Sequence, residues 1–287
     1  RPLSKGTVTR AVPSAIADDH KRAGLTSPTE SPIVASAKQT AKRAAPHGRG
    51  SKEPLTPDLL RRMLAAPLQP NESKFMRARN EAMVLLMTAA FLRESEVVAL
   101  QYDDIVLEQW PNPSSASHGG GGGGGGGQSA QTIDVLLIKV ARSKTDQEAR
   151  GVTVFVADGE GDTPLKPIES YAKWLNLRWD EGGELFDENP AIPQSEYAFP
   201  NLKTGAPLHS DTPRTIIKRW LKSIGVDPEK YGGHSARSGG ATSAAHNGIA
   251  IDLLRRHGRW SSDAVYVYIH DSPATRIATS RAALADN

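Results

Sequence analysis

The chain has 287 residues, 38% of them hydrophobic and none of them cysteine, so a core can form unaided while disulfides, zinc–thiolate sites and cysteine nucleophiles are excluded. It holds no apolar run of the roughly 18 residues that a membrane span requires, and no signal peptide opens it. The net charge of +3 is uneven: residues 1–62 carry +7, residues 63–210 carry −8 and residues 211–287 carry +4. Basic ends around an acidic middle suggest an anionic partner, nucleic acid first, against the plainer alternative of a solvated surface.

In chain order, AVPSAIADDHKRAGL has helical spacing, with Val12, Ile16 and Leu25 as its apolar marks. SAKQTAKRAAPHGRGSKEP then reads as a basic linker. Residues 1–50 hold too little apolar material for a domain and read as the tail end of one; Arg1 in place of Met suggests a fragment or a processed product. A helix starts at LTPDLLRRMLAA, where Thr56 can cap it and Pro57 suits the first helical position. NEAMVLLMTAAFL (80–92) is apolar nearly all round, as a buried helix is. RESEVVAL continues as a short helix, and IVLEQW is expected as a strand.

Next comes a low-complexity insert at 111–130, with nine glycines at 119–127, expected as a disordered surface excursion. It lacks the flanking strand, helix and Lys-Ser/Thr ending of a phosphate-cradling loop. TIDVLLIKVA and GVTVFVA on either side of RSKTDQEAR predict a hairpin with Lys144 near its tip. Four helices follow: PIESYAKWLNLRW, TPRTIIKRWLKSIGV, ARSGGATSAAHNG and IAIDLLRRHG. Gly248 and Gly258 stand where helix ends favour positive φ. The sum is a mainly α fold with a small antiparallel β-sheet, placing residues 51–287 in one domain.

The chemistry-bearing candidates are Arg93, Lys144, His234, Arg237, Trp260 and Tyr268. Such a set suits a phosphodiester. Displacement at phosphorus builds negative charge on the non-bridging oxygens, which forked, permanently charged arginines match. A lysine can protonate a leaving oxygen, a histidine can relay the nucleophile's proton, and an indole N–H is a pure donor. Metal-ligand spacing is absent, so neither a metal nor another cofactor is expected. A tyrosine phenol then remains as nucleophile; its phosphotyrosine ester would store the bond for rejoining without ATP. The glycines flanking His234 and Arg237 are expected to let backbone approach the phosphate.

Four segments in order resemble the motifs of tyrosine recombinases, the phage-integrase superfamily. FLRESEVVAL resembles the first arginine motif, which implies Arg93 as catalytic arginine and Glu96 as the supporting acid. RSKTDQ resembles the hairpin lysine motif, giving Lys144, and HSARSGG the His-x-x-Arg motif, giving His234 and Arg237. GRWSSDAVYVYIH resembles the closing motif, with Trp260 in the position that is His or Trp and Tyr268 as the nucleophile. Its Trp260-to-Tyr268 spacing is eight residues, where many members have nine. The resemblance spans about residues 54–272, and HSARSGGATSAA followed by HGRWSSDA is most like the recombinases of Crypton- and DIRS-type mobile elements. AVPSAIADDHKRAGLTSPTESP resembles the end of the family's N-terminal core-binding domain.

The resemblance implies the tyrosine recombinase catalytic-domain fold and a site-specific recombinase or integrase. It would act on double-stranded DNA through a transient 3′-phosphotyrosyl link, as a homo-tetramer on two duplexes, with SPATRIATSRAALADN as a segment that docks on a neighbour. An intracellular location follows, the nucleus for a eukaryotic source. Other readings of the same chemistry are a type IB topoisomerase-like relaxase or a domesticated DNA-binding protein that no longer cuts. Singly, the residues have plainer roles: Arg93 as a helix cap paired with Glu96, His234 and Trp260 as packing residues, Lys144 as a solvated lysine. In a helix Tyr266 and Tyr268 point about 200° apart, so one alone can face the site. Lys218, Arg219, Arg255, Arg256 and Arg259 read either as a solvated face or as grips for backbone phosphates.

Overall fold

The computed structural model describes residues 12–44, 52–112, 131–140, 151–179 and 195–271, with Thr275, Ile277 and Arg281. Two compact units divide the chain at Ser51.

The first unit holds α1 (Val12–Arg22) and α2 (Pro32–Ala44). Segment 36–44, expected as linker, is helix. Ala, Lys, Gln and Arg are strong helix formers, Pro32 sits at the first helical position, and Ser31 accepts from the Ile33 N–H at 3.3 Å. Charge had masked propensity. The apolar marks of this unit, Val12, Ile16, Leu25 and Ile33, are all exposed.

In the second unit, α3 (Pro57–Ala65) begins where Thr56 Oγ1 accepts from the Leu59 N–H. α4 (Lys74–Ala89) buries eleven of its sixteen residues and is the axis of the core. Helices α6 (Pro167–Trp179), α7 (Thr212–Ser223) and α8 (Ser235–His246) pack around it. Ile216, Ile217, Trp220 and Leu221 form the buried stripe of α7. α5 (Glu94–Val97) is a single turn and α9 (Ile251–Gly258) closes the helical set.

The sheet is antiparallel, ordered β1 (Ile105–Pro111), β2 (Thr132–Val140), β3 (Val152–Val156). Its register pairs Leu107 with Leu136 and Ile138 with Val154, and Ile138 and Val154 are both buried in the core. Of the insert expected at 111–130, Pro111 ends β1 opposite Thr132, Asn112 follows it, and residues 113–130 lie outside the described residues. Lys144 and the hairpin tip also lie outside them.

Candidate active site

α4 ends in a tight reversal at Phe91, whose φ of 47° is unusual for a residue with a side chain. The turn presents Arg93 at the start of α5. The Arg93 N–H donates to Glu96 Oε2 at 2.8 Å, and its Nη1 donates to Glu96 Oε1. Glu96 is buried and also accepts from Arg259 Nη2 at 2.8 Å, with Arg237 Nη1 at 3.8 Å from the same oxygen. Burial works against its ionisation. Arg259, the Arg93 N–H and the Arg93 guanidinium outweigh that and hold the carboxyl below its ordinary range.

His234 lies just before α8, and Arg237 on its first turn enters the interior fully buried. Arg237 Nη1 donates to the Phe91 carbonyl at 2.6 Å and Nη2 to the Gly258 carbonyl. Its guanidinium stacks 4.5 Å from the Trp260 ring centroid and 5.4 Å from that of Tyr268. Burial, then Arg93 and Arg259, lower its pKa to about 10, so it stays charged at neutral pH. His234 meets the Tyr268 ring edge-on at 5.7 Å, and its outer side is exposed. Packing around the imidazole, then Arg237 and Arg93, lower its pKa, which favours the neutral ring.

Trp260 lies 5.0 Å from Tyr268 and 6.0 Å from Phe91, ring to ring. Its indole N–H is buried with no acceptor among the described residues. Tyr268 does not sit in an α-helix. It ends a 3-10 turn (Asp263–Val267), its carbonyl accepting from Ser238 Oγ at 2.7 Å and Thr242 Oγ1 at 3.0 Å. Tyr266, two residues back, is 59% exposed, so the turn separates the tyrosines as the helical reading expected.

The structure thus brings Arg93, Glu96, His234, Arg237, Trp260 and Tyr268 together from four segments of chain. Three expectations need correction. First, Gly239 and Gly240, the pair after Arg237, do not open space for a ligand. A Cβ on Gly239 would lie 2.0 Å from the Leu55 carbonyl oxygen, and one on Gly240 2.3 Å from that of Thr88, so they let α8 press on its neighbours. Second, Gly248 has the expected positive φ of 83°, but Gly258 does not; the left-handed residue is Arg259, at φ 58°. Gly258 is needed because a Cβ there would lie 2.0 Å from the Trp260 ring.

Third, Arg259 belongs to no solvated face. Its Nη1 donates to the Ala90 and His257 carbonyls and its Nη2 to Phe91 and Glu96. The other basic candidates differ among themselves. Arg256 is exposed and Arg255 lies 3.7 Å from the exposed Asp252. Lys218 pairs with Glu229 at 2.8 Å, and Arg219 with the buried Glu72 at 2.8 Å. His257 was not singled out from sequence. It bonds the Ala89 carbonyl at 2.7 Å and meets Phe91 edge-on at 4.6 Å. Only the Gly-Arg-Trp run, a bulky residue where a helix end favours glycine, hinted at this corner.

A helical core beside a three-stranded antiparallel sheet is the fold of tyrosine recombinase catalytic domains. The XerH site-specific recombinase bound to palindromic difH substrate superposes with a TM-score of 0.53 at 18% identity, over 81% of this chain and 53% of that one. For the XerA recombinase the TM-score is 0.52 at 16% identity, over 97% and 83%. A lambda integrase dimer bound to a COC′ core site gives 0.51 at 16%, over 93% and 58%. In sequence, an integrase/recombinase XerD homolog of Selenomonas ruminantium is 26% identical over 267 residues, covering 92% of this chain and 67% of that protein. No family model matches. The chain is thus similar in sequence to an integrase/recombinase and in fold to site-specific recombinases, and it spans about half the length of the XerH structure.

Proposed function

We propose that this chain carries the catalytic domain of a site-specific DNA recombinase. The observation that carries the reading is Arg237, a fully buried cation beneath the rings of Trp260 and Tyr268, with His234 and Arg93 beside it. Such a cluster of cations and donors around one phenol is suited to a phosphodiester.

In this reading the Tyr268 oxygen attacks the scissile phosphorus, the bond to the 5′ oxygen breaks, and a 3′-phosphotyrosyl ester forms. His234, neutral at pH 7, takes the phenolic proton. Arg93, Arg237 and the unpaired Trp260 N–H hold the non-bridging oxygens, and Lys144 returns a proton to the leaving 5′ oxygen. Rejoining runs the steps in reverse, so no nucleotide is consumed. Arg237 lies under the two rings, so the Tyr268 side chain swings outward as the phosphate enters.

The partner is double-stranded DNA, and the working assembly a homo-tetramer on two duplexes, with 272–287 docking on a neighbour. Arg255 and Arg256 flank the site as phosphate grips. Residues 1–50 are read as the end of a core-binding domain, which accords with the exposed apolar side chains of α1 and α2. The finer assignment is to Crypton- or DIRS-type elements, on the run HSARSGGATSAA and the later HGRWSSDA. For a eukaryotic source the location is the nucleus.

Nicked DNA from the ends of the source element tests the proposal. The parent protein is expected to give a covalent protein–DNA band on a denaturing gel, and Tyr268→Phe none, while both shift DNA in a native gel. An adduct that persists in Tyr268→Phe would refute the nucleophile. DNA shifted by the parent with no adduct would leave the non-cleaving binding reading. Supercoil relaxation by a monomer without strand exchange would favour the topoisomerase-like one.

A further inference from the structure

We propose that Arg259 is a positioning residue of this site: from a left-handed helix end it fixes the Glu96 carboxylate, and through it the guanidinium groups of Arg93 and Arg237. The inference rests on the reading of the site given above.

Arg259 stands at φ 58°, ψ 40°, directly after α9, in a conformation that favours glycine because the Cβ of an L-residue is crowded there. The glycine is one residue earlier, held there by the Trp260 ring. An arginine therefore occupies the strained position, and its side chain explains why. Its terminal nitrogens reach the carbonyls of Ala90, Phe91 and His257 and the Glu96 carboxylate, at 2.8 to 3.1 Å.

Phe91 faces it in a second left-handed conformation, and the Phe91 carbonyl also accepts from Arg237. One guanidinium thus ties the end of α9 to the turn after α4 and to Glu96. Removing it leaves Glu96 with Arg93 on its own turn and Arg237 from α8, the latter 3.8 Å away. The other titratable side chains around it are His234, His257 and Tyr268, with Glu94 on the same turn as Glu96, and no hydrogen bond or ion pair joins any of them to Glu96. Arg259 is buried and its guanidinium is bonded to Glu96, so it acts through the carboxylate rather than on DNA.

The Arg259→Gly variant separates positioning from folding. Glycine adopts the left-handed conformation freely, so the backbone is relieved as the guanidinium is lost. The adduct-forming rate is expected to fall by roughly 100-fold, the cost typical of a misplaced catalytic group. DNA affinity should stay near the parent's. The melting temperature should fall for the lost buried ion pair while unfolding stays cooperative, so that rates are compared well below it. Arg259→Lys should recover part of the rate. Combined with Glu96→Gln, Arg259→Gly should add little further loss, since both act through one contact. Carbon-13 NMR should show the Glu96 carboxyl titrating at higher pH in Arg259→Gly. An unchanged rate, multiplying losses in the double variant, or an unmoved Glu96 titration would each overturn the inference. Should the parent form no adduct, the recombinase reading fails instead, and the Glu96 titration still decides this one.

Discussion

Two buried carboxylates, Glu72 and Glu96, are each ringed by arginines, and the difference between them separates scaffold from site. Glu72 Oε1 accepts from Asn80 at 3.3 Å, Arg219 at 2.8 Å and the Trp220 indole at 3.1 Å, and Oε2 accepts from the Gln69 N–H. Arg77, 3.6 Å away, is spent on Glu81 and the carbonyls of Met63 and Leu64. Both clusters leave a guanidine N–H unpaired, so that feature distinguishes nothing. Two others do. Glu96 is a single carboxylate among three guanidiniums, a surplus of cation that burial makes costly without an anion to meet it. And the Trp220 indole has a carboxylate acceptor where the Trp260 indole has none. The Glu72 knot is closed by protein; the Glu96 cluster keeps a donor and two cations for something else.

Removing Glu72 should have the largest effect on stability. In Glu72→Ala, Arg219, Asn80 and Trp220 lose their shared acceptor, and a loss of about 3–5 kcal/mol is expected, as for a broken buried ion pair. Urea unfolding measures it; a change below about 1 kcal/mol would mean that water replaces the carboxylate and the knot is not structural. The tryptophan pair sharpens the contrast. Trp220→Phe should cost about 1.5–3 kcal/mol, the range for a hydrogen bond to a charged group. Trp260→Phe keeps an aromatic ring beside Arg237 and loses the same ring volume but breaks no hydrogen bond, so its stability loss should be smaller than that of Trp220→Phe. Adduct formation should fall by about 100-fold, as when one transition-state donor is lost. Equal stability losses in the two variants would erase the distinction between the clusters.

Much of this was legible in the sequence, for a physical reason. Arg93, His234, Arg237, Trp260 and Tyr268 lie in three local motifs, and local pattern also set α3, α4, α7 and the hairpin. What escaped was decided by contacts distant in sequence. Arg259 reads as one more cation in a basic run, and only the meeting of the α4–α5 turn with the end of α9 buries it. Gly239 and Gly240 read as room for a ligand, because nothing local shows Leu55 and Thr88 pressing on them. The 36–44 segment failed differently: its lysines suggested a linker, although an Ala- and Lys-rich run after Ser-Pro is a sound helix start.

The smallest expected effect is that of mild acid, and it too should divide the molecule. Both carboxylates are held below their ordinary value of 4.5: burial opposes ionisation, and the Gln69 N–H and Trp220 at Glu72, like Arg259 and Arg93 at Glu96, overcome it. Their stabilisation is present above pH 4.5 and is lost only as pH falls through the lower folded values. The histidines beside the site act earlier. Burial first, then the arginines, hold His234 and His257 below 6.5 despite the opposing pull of Glu96 and the Ala89 carbonyl respectively. Each binds a proton more readily when unfolded, so its contribution is intact above pH 6.5 and declines as pH falls toward the folded values. Between pH 7.5 and 5, hydrogen exchange in α9 and the first turn of α8 should therefore speed up, after correction for intrinsic rates, while α4 and α7 around Glu72 hold. His257→Asn, which can still donate to the Ala89 carbonyl, should flatten the change in α9. Uniform acceleration across all four helices would mean that the two clusters share one opening, and that the site is no looser than the scaffold.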